Sequence, residues 1–392
     1  MNGTPRGERL HIGIFGRRNA GKSSLLNAMT GQDVALVSPV KGTTTDPVYK
    51  AMELLPIGPV VFIDTPGIDD TGALGELRIE KARGILRKTD LALLVVDARE
   101  GFSGYDRELI HAFDEAGVKY MTVYNKTDLV KSEMLDGISV SAATGENIHA
   151  LKEKIARLCA EQDEPRRLVA DLLVPGDVIV LVVPIDASAP KGRLILPQQQ
   201  VIRDALEAQA IAIVAQPREL ADTFAKLNGP PKLVVTDSQA FAEVSKCTPH
   251  SVALTSFSIL MARYKGVLED AVAGAGAIDT IKDGDKILIA EGCTHHRQCE
   301  DIGTVKLPRW IQQHTGAKPE YAFSSGSGFP ADLSVFKLIV HCGGCMQNPH
   351  EMCARQRAAR EAGVPMTNYG VVISHMQGIL ERCIAPFNGE FQ

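Results

Sequence analysis

Short, nearly unbroken apolar runs recur along the chain, each of a length suited to a buried parallel strand and each closed by glycine, asparagine or an acidic residue. Leu10-His-Ile-Gly-Ile-Phe-Gly16, Val60-Val-Phe-Ile-Asp64, Leu91-Ala-Leu-Leu-Val-Val-Asp97 and Met121-Thr-Val-Tyr-Asn125 follow this pattern. Helical spacing begins at Lys22 and runs to Met29, and a basic helix over Leu151–Cys159 closes the block. Asp163-Glu-Pro-Arg-Arg167 is charged enough for a linker, which places a boundary near 165. Beyond it, strands are predicted at Ile179–Val183, Ile211–Val214 and Lys232–Val235, with helices at Gln200–Glu207 and Arg218–Lys226. The apolar helix Phe257–Arg263 and the small-residue run Ala271–Ala277 lead into a third segment from about 262, with strands at Lys286–Ala290 and Lys337–Val340. Strands alternating with helices predict an α/β protein with parallel sheets, divided as 1–165, 166–261 and 262–392.

Composition narrows the class. With 392 residues, 45% hydrophobic, and a net charge of -5, the chain suits a soluble multidomain protein. It lacks the basic surplus that drives binding to nucleic acid or a membrane surface, so no partner of either kind is expected. No apolar stretch approaches the roughly 20 residues that cross a bilayer, and the first residues lack a signal-peptide core, so a cytoplasmic location is expected. Five of the eight cysteines fall between 293 and 353, a clustering that in a reducing compartment points to metal chemistry and not to bridges.

The first block carries a phosphate-binding constellation. Gly16-Arg-Arg-Asn19-Ala20-Gly21-Lys22-Ser23-Ser24 lies between a predicted strand and a predicted helix, where successive backbone N–H groups can cradle phosphates. Lys22 neutralises β/γ charge, and the Ser23 hydroxyl suits Mg²⁺. Asp64, ending an apolar run, fits a water-mediated hold on that ion, and Gly67 of Asp64-Thr-Pro-Gly67 offers an N–H to a γ-phosphate. Asn125-Lys126-Thr-Asp128 selects guanine, Asp128 through the N1–H and exocyclic amine and Asn125 through the opposite edge, and Ser141-Ala142-Ala143 fits a further base-contact loop. GTP and Mg²⁺ are the implied ligands. This block resembles the Era and tRNA-modification (MnmE) branch of GTPases in Asn19 and in Gly42-Thr43-Thr44-Thr45-Asp46. The resemblance implies that Asn19 helps to hold a K⁺ ion and that Thr44 closes on Mg²⁺. Ile68-Asp69-Asp70 follows Gly67 where a water-positioning Gln would stand, so slow intrinsic hydrolysis is expected, with Glu76 the candidate water-orienting acid.

The middle segment shows no nucleophile constellation and reads as an association domain. In the third, Cys293-Thr-His295 and His341-Cys342-Gly-Gly-Cys345 each follow a predicted strand, and loops at the carboxyl ends of neighbouring parallel strands share a crevice. Three thiolates, Cys293, Cys342 and Cys345, would then converge, with His295, His341 or Glu300 as a fourth ligand and Cys299 a lesser candidate. Zinc on Cys₃His is the alternative occupant. His296, Cys353 and Cys383 are assigned ordinary structural roles.

The order of GTPase, middle α/β domain, Cys-x-His, gap and His-Cys-x-x-Cys resembles the FeFe-hydrogenase maturation GTPases, the HydF family. Asp301–Trp310, His341–Met346 and Gly363–Gly370 support the likeness, which covers nearly the whole chain. It implies a middle domain that forms a homodimer and a 4Fe-4S cluster on Cys293, Cys342 and Cys345. It also implies a transient diiron precursor received from the radical-SAM maturases HydE and HydG and delivered to apo-hydrogenase. The rival expectation is an Era-like RNA- or ribosome-associated GTPase with a structural zinc domain.

Overall fold

The computed structural model describes residues 6–31, 48–65, 83–130, 137–160, 168–185, 194–292, 301–326 and 328–389. The chain forms two compact units, Met1–Glu164 and Pro165–Gln392.

In the first unit the described strands are β1 (Leu10–Phe15), β2 (Val48–Leu54), β3 (Gly58–Asp64), β4 (Leu91–Asp97), β5 (Lys119–Asn125) and β6 (Ile138–Ser139). They form one sheet in the order β2-β3-β1-β4-β5-β6, antiparallel between β2 and β3 and otherwise parallel. Every residue of β4 is buried, as the unbroken apolar run demands of a central strand. Helices α1 (Lys22–Thr30), α2 (Gly104–Ala116) and α3 (Ile148–Ala160) accompany the sheet. One core packs Ile12, Ile14, Leu25 and Leu26 with Ile155; the other packs Phe15, Ile63 and Leu94 with Phe113. Alternate strand residues thus feed opposite faces of the sheet.

The second unit holds two parallel sheets. Strands β7 (Val178–Val182), β8 (Ile211–Ala215), β9 (Leu233–Thr236) and β10 (Ala253–Ser256) run β10-β9-β7-β8. Strands β11 (Lys286–Glu291), β12 (Glu320–Ser325), β13 (Leu338–His341) and β14 (Met366–Asn368) run β12-β11-β13-β14. Between and beside them lie α4 (Leu196–Glu207), α5 (Leu220–Ala225), α6 (Phe241–Cys247), α7 (Phe257–Tyr264), α8 (Leu268–Ala275), α9 (Leu307–Thr315), α10 (Pro349–Glu361), α11 (Tyr369–Met376) and α12 (Leu380–Ile384). A single continuous core joins both sheets, and Ile259, Leu260, Met261 and Ala262 of α7 are buried in it. The expected boundary near 262 therefore falls on a helix shared by the two sheets. Hydrogen bonds reinforce that join: Asn368 Nδ2 donates to the Ser258 carbonyl at 2.8 Å and Lys306 Nζ to Gln239 Oε1 at 3.0 Å.

Candidate functional site

The loop between β1 and α1 is shaped by close backbone approach. Gly16 has φ +137, and a Cβ there would lie 2.2 Å from the Val95 carbonyl oxygen. Gly21 has φ +89, and a Cβ there would lie 2.2 Å from Asn125 Nδ2. Only glycine fits both the backbone conformation and the space. Gly21 caps α1 without a side-chain hydrogen bond, and the first turn of α1 holds no acid. Its leading N–H groups and the helix dipole are thus left for an anionic ligand. Lys22 is buried within the loop, where Nζ donates to the Gly16 carbonyl at 2.8 Å and the Arg17 carbonyl at 2.9 Å. The ammonium is thus held inside the loop by two of its carbonyls.

Ser23 Oγ donates to Asp64 Oδ2 at 2.6 Å. Burial raises the Asp64 pKa, opposed by that bond and by Lys22, and its buried Oδ1 has no hydrogen-bond partner among the described residues. A desolvated carboxylate with an unused oxygen beside a serine hydroxyl fits a hydrated hard cation, so Ser23 and Asp64 suit Mg²⁺. Thr44, Gly67 and Glu76 lie outside the described residues.

The base side forms a cavity of about 630 Å³ lined in part by Gly21, Ser24, Lys126, Asp128 and Ala142. Its size is within the usual range for a small-molecule site. Asp128 is exposed on the turn Thr127–Leu129, free of the core and available to a base. Asn125 is buried, and both ends of its amide are held by protein. Nδ2 donates to the Ala20 carbonyl at 3.0 Å, and Oδ1 accepts from the Ala142 N–H at 3.0 Å. Its side chain therefore joins three loops, a role that motif reading had not separated from direct base contact. Ser141 is buried likewise, and its Oγ accepts from the Thr144 N–H at 3.1 Å.

In the second unit β11 and β13 are neighbours, with Ala290 opposite His341. The Cys342 N–H donates to the Ala290 carbonyl, and Cys342 Sγ accepts from the Gly292 N–H at 3.0 Å and the Gly344 N–H at 3.4 Å. The turn after β13 is thus bonded to the end of β11. Cys342 and Cys345 are half-buried; Cys293, His295 and Glu300 lie outside the described residues. Among the described residues no group of three or more Cys, His, Asp and Glu side chains has metal-binding geometry.

His341 is fully buried, and both ring nitrogens are engaged, Nδ1 with the Cys342 carbonyl at 2.8 Å and Nε2 with Arg355 at 3.0 Å. Burial, helped by Arg355 and opposed by that carbonyl, lowers its pKa to about 3. In this arrangement the ring is a neutral brace for the turn. Arg355 also donates to the Gly326 carbonyl at 2.6 Å and to Glu351 at 2.7 Å. On the other side, the Tyr369 hydroxyl meets buried Glu291 at 3.3 Å, and burial, followed by Cys342 and Glu291, raises the Tyr369 pKa. Gln347 is buried too, and its Oε1 would lie 2.7 Å from a Cβ on Gly292. Sequence reading missed Glu291, Gln347, Arg355 and Tyr369, because single polar residues in mixed segments carry no spacing signal.

Comparison with known families fits these units. Residues 11–126 match the model described as 50S ribosome-binding GTPase. Residues 168–266 match the hydrogen maturase F dimerization domain, and residues 269–386 match the hydrogen maturase F tetramerization domain. The chain belongs to the hydrogen maturase F family. Its first unit is a GTPase domain that hydrolyses GTP, and the two family-specific domains point to a self-associating chain. The segment expected to hold a cluster coincides with the domain that the family describes as tetramerizing.

Relatives of the GTPase domain include the tRNA modification GTPase MnmE of Dechloromonas aromatica, 36% identical over 157 residues, which cover 38% of this chain and 35% of that protein. GTPase Der of Wolinella succinogenes is 34% identical over 168 residues, covering 38% and 36%. The chain thus spans about a third of the length of these relatives. Among solved structures, Aquifex aeolicus Era bound to GDP.AlF4- has a TM-score of 0.36 at 21% identity, covering 56% of this chain and 98% of that one. No helix among the described residues is long and apolar enough to cross a membrane.

Proposed function

We propose that this hydrogen maturase F chain is a GTP-dependent scaffold and carrier in FeFe-hydrogenase maturation. It holds a 4Fe-4S cluster through Cys293, Cys342 and Cys345, receives a diiron precursor from HydE and HydG, and delivers it to apo-hydrogenase. The observation that carries this reading is the bond from the Gly292 N–H to Cys342 Sγ. It ties the residue before Cys293 to the first thiol of the turn, so the loops bearing all three cysteines start from adjoining strand ends. Backbone N–H groups aimed at a thiol stabilise its anionic form, as Fe–S ligation requires, and Gly344, at φ +63 with Met352 Sδ 2.7 Å from where a Cβ would stand, lets the turn fold back tightly between the two cysteines. The cluster supplies an iron with an exchangeable position, and the chain supplies three thiolates, a braced turn and the buried polar surround.

GTP hydrolysis is slow and K⁺-stimulated in this account, with Asn19 beside the K⁺, and nucleotide state alters partner contact without driving the organometallic synthesis. Self-association of the middle domain is supported by edge strand β8, a run of Ile, Ala and Val in which Ile211 is 53% and Val214 46% exposed. An uncharged apolar edge favours pairing with another strand. The test is activation of apo-hydrogenase by chain loaded in the presence of HydE and HydG, read as hydrogen evolution. Activation is expected from wild type and not from Cys342→Ala. Equal activation by both would remove the carrier role from the thiol site.

A further inference from the structure

Asp97 ends β4, is 3% exposed, and belongs to none of the nucleotide motifs. Its Oδ2 accepts from Lys126 Nζ at 2.7 Å and from Arg99 Nη2 at 2.6 Å. Its Oδ1 accepts from the backbone N–H and the Nε of Arg99, each at 3.0 Å. The same Lys126 ammonium donates to the Asn19 carbonyl inside the phosphate loop. Asn125 makes the adjacent tie, to the Ala20 carbonyl. Two consecutive residues of the base motif therefore grip two consecutive carbonyls of the phosphate loop.

The two grips differ in what fixes them. Asn125 is short, buried and locked by the Ala142 N–H. The Lys126 side chain is long, flexible and 24% exposed, and a flexible ammonium stays on one acceptor only if a fixed counter-charge holds it there. Asp97 is that charge, oriented from behind by Arg99. Hydrogen bonds from Arg99 and Lys126 hold its carboxyl well below the ordinary range, so it remains ionised.

We propose that Asp97 is a positioning residue for guanine-nucleotide binding, fixing the Lys126 ammonium on the Asn19 carbonyl so that the base loop and the phosphate loop are locked as one surface. Asparagine at this position keeps the shape but removes the charge, and it turns an N–H toward one of two cations. Losing a charge-assisted hydrogen bond at a partly solvated site should weaken nucleotide binding by about tenfold.

The test is a fluorescence titration of the full chain with N-methylanthraniloyl-GDP in Mg²⁺, comparing wild type, Asp97→Asn, Lys126→Ala and the double variant. Asp97→Asn is expected to bind about tenfold more weakly. In the Lys126→Ala background the same change is expected to cause no further loss, because a residue acting through Lys126 has nothing left to position. Unchanged affinity in Asp97→Asn overturns the proposal, and so does an equal loss with or without Lys126, which would mean that Asp97 acts through the fold alone. If Asp97→Asn does not fold, Asp97→Glu takes its place in the cycle. It keeps the charge but displaces it by one methylene, and a loss of affinity confined to the Lys126 background is again required.

Discussion

The loop after β1 and the turn after β13 occupy the same place in a parallel sheet, and both lead into a helix, yet the two helix starts are built oppositely. Helix α1 begins at Gly21 with no side-chain cap and no acid in its first turn. Helix α10 begins with Pro349 after Asn348, whose side chain accepts from the Glu351 N–H at 2.9 Å, and its first turn carries that glutamate. One junction leaves its N–H groups and its positive dipole end for an anion; the other satisfies and neutralises them. At the second junction the backbone N–H groups of Gly292 and Gly344 meet a thiol instead. The position in the fold supplies a crevice, and the cap decides which chemistry enters it.

The largest effect that would sharpen this contrast is at Lys22. Lys22→Met should lower kcat/KM for GTP about 1000-fold, or ~4 kcal/mol, measured by phosphate release, because the open helix start alone cannot neutralise the β/γ charge. A loss under tenfold would show that the helix dipole dominates and that Lys22 is mainly a loop tie. Next comes Arg355, buried beside Glu351 and His341. Arg355→Met takes the guanidinium from both partners and should destabilise the second unit by about 3 kcal/mol, read as a lower urea midpoint. An unchanged midpoint would mean that the turn does not depend on this brace.

Asn348→Ala removes the cap that closes α10 and should cost about 1 kcal/mol in the same assay. The smallest effect is at Asp279, whose carboxylate meets His314 Nε2 at 2.7 Å and His375 Nε2 at 2.8 Å. The bonds to His314 and then His375 lower its pKa from the ordinary 3.8. A depressed carboxylate pKa gives stability that is present above the ordinary value and is lost as pH falls through the folded one. Because the group is half exposed, Asp279→Asn should cost only about 0.5 kcal/mol at neutral pH. The difference from wild type should shrink below pH 3.8. A difference that grows as pH falls below 3.8 would contradict that sign.

The two junctions were not equally legible. Apolar runs marked β1, β3, β4, β5, β7, β9, β11 and β13 because a strand buried on both faces needs little else, and those strands position both junctions; β8 was marked by the same kind of run although it is a partly exposed edge strand. Edge strands β2, β12 and β14 were missed: Val48–Leu54 alternates in burial and Glu320–Ser325 is partly exposed, so neither reads as an apolar run. The phosphate loop was readable since its chemistry is carried by glycines and one lysine at fixed spacing. Asp97, Arg355, Gln347 and Glu291 were not, because each gains its role from residues brought to it by tertiary packing. Asn125 and His341 were noticed for what they might bind, whereas their polar atoms are engaged within the chain.

In the proposed carrier, the junction after β13 holds an iron–sulfur cluster together with Cys293. Anaerobic reconstitution with iron and sulfide tests it most directly, with metal and sulfide content and the reduced-state EPR spectrum of wild type set beside Cys293→Ala, Cys342→Ala and Cys345→Ala. The account predicts a 4Fe-4S signal in wild type that is lost in all three variants. Stoichiometric zinc with no cluster signal, or a cluster that survives the loss of Cys342 and Cys345, would contradict it.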